Sequence, residues 1–87
     1  MAEFLVEFYV SRANGSRVQL AADALTRAGT ALRCVRTIFV PEDETCFLLF
    51  EAASVDDVRD AARHAEITLA RISEAVTSPE PTIVTDA

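Results

Sequence analysis

The stretch VRTIFVPEDETCFLLFEAASVDDVRDAARHA, Val35 to Ala65, decides the fold. Val35 to Val40 and Thr45 to Glu51 are rich in β-branched and aromatic residues, which suit a pleated, half-buried surface. Pro41 has no amide hydrogen and stops the first run, and the polar Pro41-Glu42-Asp43-Glu44 joins the two as an antiparallel hairpin. Ser54, with Asp57 three residues later, forms a capping-box variant that opens a helix with Val55, Val58, Ala62 and Ala65 as its buried stripe.

Working outward, residues 3–10 alternate, with Phe4, Val6, Phe8 and Val10 on one side and Glu3, Leu5, Glu7 and Tyr9 on the other; this is a strand. Residues 11–16 form a loop with Asn14-Gly15 as its turn signal and Asn14 or Ser16 as the candidate N-cap. Arg17 to Ala28 carries Val18, Ala21, Ala22, Leu25 and Ala28 at helical spacing, and Gly29 occupies the C-capping position. The second strand begins at Leu32. Arg71 to Val76 reads as a last short strand. The order β-α-β-β-α-β is the ferredoxin-like plan: an α+β fold with a four-stranded antiparallel sheet and both helices on one face. The expected domain spans residues 1–77. Residues 78–87, with Pro79 and Pro81, read as a loose tail in which Ile83-Val84 would extend some sheet edge.

An 87-residue chain supplies one core. A net charge of −6, with eight scattered arginines and no lysine, argues against nucleic acid, which demands a concentrated basic surface. No apolar run approaches the length of a membrane span, and the acidic start MAEFLVEFYV does not resemble a signal peptide. A cytoplasmic protein is the resulting expectation, and the Arg-, Ala- and Val-rich composition suggests a bacterial source. Two cysteines in such a setting are expected to be reduced.

Strict alternation counted back from the hairpin puts Val35, Thr37, Phe39, Cys46, Leu48 and Phe50 under the helices. It leaves Cys34, Arg36, Ile38, Val40, Thr45, Phe47, Leu49 and Glu51 on the open face, with Cys34 opposite Glu51. On this reading Cys34 and Cys46 point to opposite sides of the sheet, which argues against a disulfide. The open face mixes apolar side chains with Glu7, Tyr9, Arg36 and Glu51, and sheet-to-sheet pairing with a second copy would cover it. These four residues are the candidate ligand-binding set; the simpler account is that their ion pairs set the dimer register.

His64 follows Asp60 by four residues and Asp57 by seven, on the solvent side of its helix. Ordinary capping acids and surface pairs explain that grouping. The acidic turn Glu42-Asp43-Glu44 reads as plain solubility. Catalytic templates are missing: there is one histidine, with no Ser/His/Asp set, Gly-rich phosphate loop or CxxC.

Three segments together resemble a known family: Val35-Arg36-Thr37…Glu42-Asp43…Phe47-Leu48-Leu49-Phe50-Glu51-Ala52, then Val58-Arg59-Asp60-Ala61-Ala62, then Arg71-Ile72-Ser73-Glu74-Ala75-Val76. With the opening Glu3-Phe4-Leu5-Val6-Glu7, the chain is similar over residues 3–77 to small bacterial ferredoxin-like proteins of unknown function, labelled nickel-binding after an actinobacterial member. The resemblance implies a homodimer built through the sheets and a role for nickel or another divalent metal, for which Glu7, Cys34, Glu51 and His64 are the donors on offer. The histidines that carry nickel in that family are missing here.

The expectation is therefore a non-catalytic, dimeric binding protein for a small ligand or divalent metal. The alternative is a cofactor-independent enzyme of the dimeric α/β-barrel type, a small monooxygenase or isomerase; a third is a structural interaction module.

Overall fold

The computed structural model describes residues 2–29 and 31–76. The expectation for the tail, residues 78–87, lies outside them.

Six elements follow in order: β1 (Ala2–Tyr9), α1 (Arg17–Ala28), β2 (Arg33–Val40), β3 (Thr45–Ala52), α2 (Val55–His64) and β4 (Arg71–Ala75). The strands form one sheet in the order β2-β3-β1-β4. β1 pairs antiparallel with both β3 and β4, and β2 antiparallel with β3. Each helix is therefore the crossover between two parallel strands that another strand separates, and the fold is ferredoxin-like.

The period-2 pattern of β1 and β3 and the 3.6 period of the helices converge on one core. Phe4, Val6 and Phe8 of β1 and Cys46, Leu48 and Phe50 of β3 pack under Val18, Ala22 and Leu25 of α1 and Val58, Ala61 and Ala62 of α2. Phe50, Leu48, Leu25 and Val58 are completely shielded, and each such side chain contributes about 1.5–3 kcal/mol of burial free energy. None of the described polar or charged residues is buried.

The hairpin has the expected register, Val40 opposite Thr45. Pro41–Asp43 forms a 3₁₀ turn, and Glu44 closes it in the left-handed region at φ 49°. Ser54 caps α2 as its sequence suggests, its Oγ accepting from the Asp57 amide at 3.3 Å. At the other end, the Ile67 amide donates to the Ala62 carbonyl and the Glu66 amide to Arg63. That is a Schellman motif, with Glu66 at φ 58° where glycine is usual.

Two local expectations change. Neither Asn14 nor Ser16 caps α1: a 3₁₀ turn at Arg12–Asn14 precedes it, and Ser16 makes no capping bond. Gly29 ends α1 with an extended backbone, φ −87°, rather than a left-handed one. Glycine is required there for space, because a Cβ would lie 2.5 Å from Leu32 Cγ.

The larger correction lies in β2. Cys34 pairs with Phe50, but the next regular pair is Arg36 with Leu49, so Val35 is an extra residue in a β-bulge. One inserted residue reverses the faces on its N-terminal side. Cys34 therefore lies on the helix side against the core, not on the open face. Arg33, not Cys34, sits opposite Glu51, and Val35 is 40% exposed rather than buried under the helices. Its neighbours Thr37 and Phe39 keep the helix-side positions that alternation assigns, opposite Leu48 and Cys46.

Candidate functional site

The face without helices is the candidate site, and the strand registers lay it out in rows. Across β2, β3, β1 and β4 these read Arg33–Glu51–Glu3–Ala75, then Arg36–Leu49–Leu5–Ser73, then Ile38–Phe47–Glu7–Arg71, and finally Val40–Thr45–Tyr9. Leu5, Leu49 and Phe47 are half-buried at the centre, Ile38 is 45% exposed beside them, and Tyr9 is 78% exposed at one end. Arginines occupy the outer strands and glutamates the inner ones.

All four residues of the candidate ligand set lie on this face, and they do not converge. Glu51 is opposite Glu3, and Glu7 is four residues further along β1, about 13 Å away at the usual strand rise. Glu7, Tyr9, Arg36 and Glu51 border the apolar centre instead of meeting at a point. Glu51 is engaged by Arg33 at 3.6 Å.

The candidate metal donors are more dispersed. Glu7 and Glu51 are on the open face, and Cys34 is on the opposite face. His64 is exposed on α2, its Nδ1–H donating to the Asp60 carbonyl at 2.7 Å. Among the described residues, no group of three or more His, Cys, Asp or Glu side chains is placed to hold a metal ion. A resident divalent metal therefore does not fit this set within one chain.

The thiols are equally poorly placed for chemistry. Burial pushes the Cys46 pKa up to about 11, with a smaller contribution from the charge of Cys34. Burial also raises Cys34, and Asp23 adds to this, against a lowering contribution from the Arg36 backbone; the thiol itself donates to the Arg36 carbonyl at 3.7 Å. Neither thiol is a thiolate near neutral pH, and the thiolate is the form that attacks or ligates. Both are free. They share the helix side of the sheet, contrary to the alternation reading, yet a bridge remains out of reach. Cys34 faces Phe50, four residues along β3 from Cys46, about 13 Å where a disulfide tolerates about 7 Å between Cα atoms.

Asp60 pairs with Arg63 at 3.3 Å, His64 bonds the Asp60 carbonyl, and the Asp57 amide donates to the capping Ser54. Glu44 does more than solubilise the hairpin tip. Its carboxylate accepts from the Arg12 amide at 2.9 Å and its carbonyl from the Val10 amide at 2.9 Å, so it ties the exit of β1 to the β2–β3 turn. A groove beside that exit, between α1 and the segment after α2, also lay outside the sequence reading; it opens over Ala21 and Ala24, which carry no motif. No helix of the described residues is long and apolar enough to cross a membrane.

No model of a known protein family matches the chain, and no curated protein matches it. The fold is similar to that in the crystal structure of SCO4226 from Streptomyces coelicolor A3(2), with a TM-score of 0.76 at 18% sequence identity. The match covers 88% of this chain and 99% of that one, and at this identity it is the fold that the two share.

Proposed function

We propose that the protein is a non-catalytic homodimer, joined through the open sheet faces, that binds a small ligand. The observation that carries this reading is the open face itself: an apolar centre of Leu5, Phe47 and Leu49 bordered by charges of both signs. Three strands of eight residues and one of five, spaced about 4.8 Å, present roughly 450 Å² in projection. The accessible area of such a face is larger and approaches the ~800 Å² per partner of a standard interface. Arg33, Arg36 and Arg71 on the outer strands, against glutamates on the inner ones, supply the register of a two-fold contact.

Native mass spectrometry of the purified protein tests both halves. The reading predicts a species at twice the 9.5 kDa chain mass, carrying a small-molecule adduct lost on collisional activation. A monomer free of adduct at every concentration would sink it.

A further inference from the structure

A large cavity among the described residues lies away from the centre of the open face, at the end of the sheet where β1 exits. It is a groove of about 950 Å³ between the end of β1, the first turns of α1 and the segment that follows α2, a size typical of small-molecule sites at roughly 300–1,000 Å³. Its existence follows from the sequence. Ala21 and Ala24 present no bulk on the side of α1 that borders it, and α2 ends at His64. The chain beyond is then fixed by the Schellman bonds and by the Ala70 amide donating to the Glu7 carbonyl at 2.8 Å. The far wall is therefore set by backbone hydrogen bonds, and the near wall is open at Ala21 and Ala24, between Arg17 and Leu20.

The lining is apolar, from Phe8, Leu20, Ala21, Ala24 and Ile67. Leu20 is 65% exposed on it and Tyr9 borders it with an exposed ring, two large side chains left in water beside an unfilled groove. One charged residue lines it, Arg17, and no acid does, although the protein carries a net charge of −6. The Arg17 side chain makes no ion pair with the described residues, which it shares with Arg12, Arg27, Arg36 and Arg71; Arg33, Arg59 and Arg63 are paired. It is also the first residue of α1, where the helix end adds positive potential. The Asn14 amide stands with it at the same mouth.

We infer that this groove binds a small amphipathic monocarboxylate, its hydrocarbon or aryl body against Leu20, Ala24 and Ile67 and its carboxylate on the Arg17 guanidinium. A guanidinium presents two parallel donors that match a carboxylate, and a single cation matches a single negative charge. A phosphate would leave one charge unmatched. The inference rests on the binding half of the proposed function and names the ligand's place and class.

The test is an amide chemical-shift titration with decanoate, using decanamide as the uncharged control. Decanoate is expected to shift Leu20, Ala21, Ile67 and Ala70 together, saturably. Arg17→Gln is expected to weaken decanoate roughly tenfold to hundredfold, the loss of a charged hydrogen-bonding partner, and to leave decanamide unchanged. Ala24→Phe, which fills the groove, is expected to abolish both. Shifts confined to Phe47 and Leu49, or an Arg17→Gln variant that binds decanoate as tightly as the parent, would overturn the proposal. The same titration on a Phe47→Glu variant separates the groove from the dimer: the same four amides are expected to shift in that folded monomer, and a parent chain that is itself monomeric yet shows these shifts would mean that the interface reading alone has failed.

Discussion

Arg33 faces Glu51 across the β2–β3 ladder, with the guanidinium 3.6 Å from the carboxylate, because Val35 is inserted before Arg36. Without the bulge, Arg33 and Arg36, three residues apart, would point to opposite faces. With it, both join the open face. The pair itself is solvent-exposed, Arg33 at 73%, so its direct contribution is small. On the monomeric Phe47→Glu background, a double-mutant cycle of Arg33→Ala and Glu51→Ala should give a coupling of about 0.5 kcal/mol that fades with salt. A coupling above about 1.5 kcal/mol would mean the pair sits in a drier place than this single chain provides.

Glu44 should be the costly residue of the acidic turn. Glu44→Ala removes the acceptor of the Arg12 amide and is expected to lower unfolding free energy by about 1 kcal/mol. Glu42→Ala and Asp43→Ala should stay within about 0.5 kcal/mol of the parent, as surface changes do. Urea melts of the three variants check this, and faster hydrogen exchange at Arg12 in the Glu44 variant alone would locate the effect.

Glu66 occupies a left-handed position at φ 58°, a conformation that disfavours any residue with a Cβ by about 1 kcal/mol. Glu66→Gly is expected to raise stability by roughly 0.5–1 kcal/mol despite glycine's greater freedom when unfolded. A thermal melt shifted downward would show that the Schellman turn is held by something other than backbone geometry.

Cys46 makes stability fall in alkali. Its ordinary pKa of 9.0 rises to about 11 when folded, so above pH 9 the unfolded chain has lost a proton that the folded chain retains. The contribution is complete below pH 9 and is lost as pH climbs through 11, about 2–3 kcal/mol at roughly 1.4 kcal/mol per pH unit. Denaturant midpoints between pH 8 and 11 should fall accordingly, and a Cys46→Ala variant should fall less steeply. Parallel curves would contradict the assignment.

The scattered donors make a definite statement about nickel. Calorimetric titration with Ni²⁺ should show no stoichiometric site on the purified protein, because no trio of donors is gathered among the described residues. A one-to-one site per chain or per dimer would require donors brought together by a second copy.

Much of this was legible in the residues. Pro41 stops a strand, so the Val40–Thr45 register follows, and with it the faces of β3 and the C-terminal part of β2. Val35 was misplaced because it is apolar and β-branched, and so fits a strand's buried face as readily as a bulge. The available signal was Arg33 and Arg36: two long cations three residues apart have to take opposite faces in a regular strand, and one would be driven into the core. The αL turn at Glu66 carried no glycine to announce it. The groove by Arg17 arises from what Ala21 and Ala24 lack, and absent side chains form no motif.

The central claim is that the open face closes on a second copy, and sedimentation equilibrium tests it most directly. The parent chain should sediment at twice 9.5 kDa at micromolar concentration. Phe47→Glu, at a half-exposed site in the single chain, should sediment as a folded monomer with an unchanged far-ultraviolet spectrum. A parent that remains monomeric at a hundred-fold higher concentration, or a Phe47→Glu variant that stays dimeric, would contradict the account.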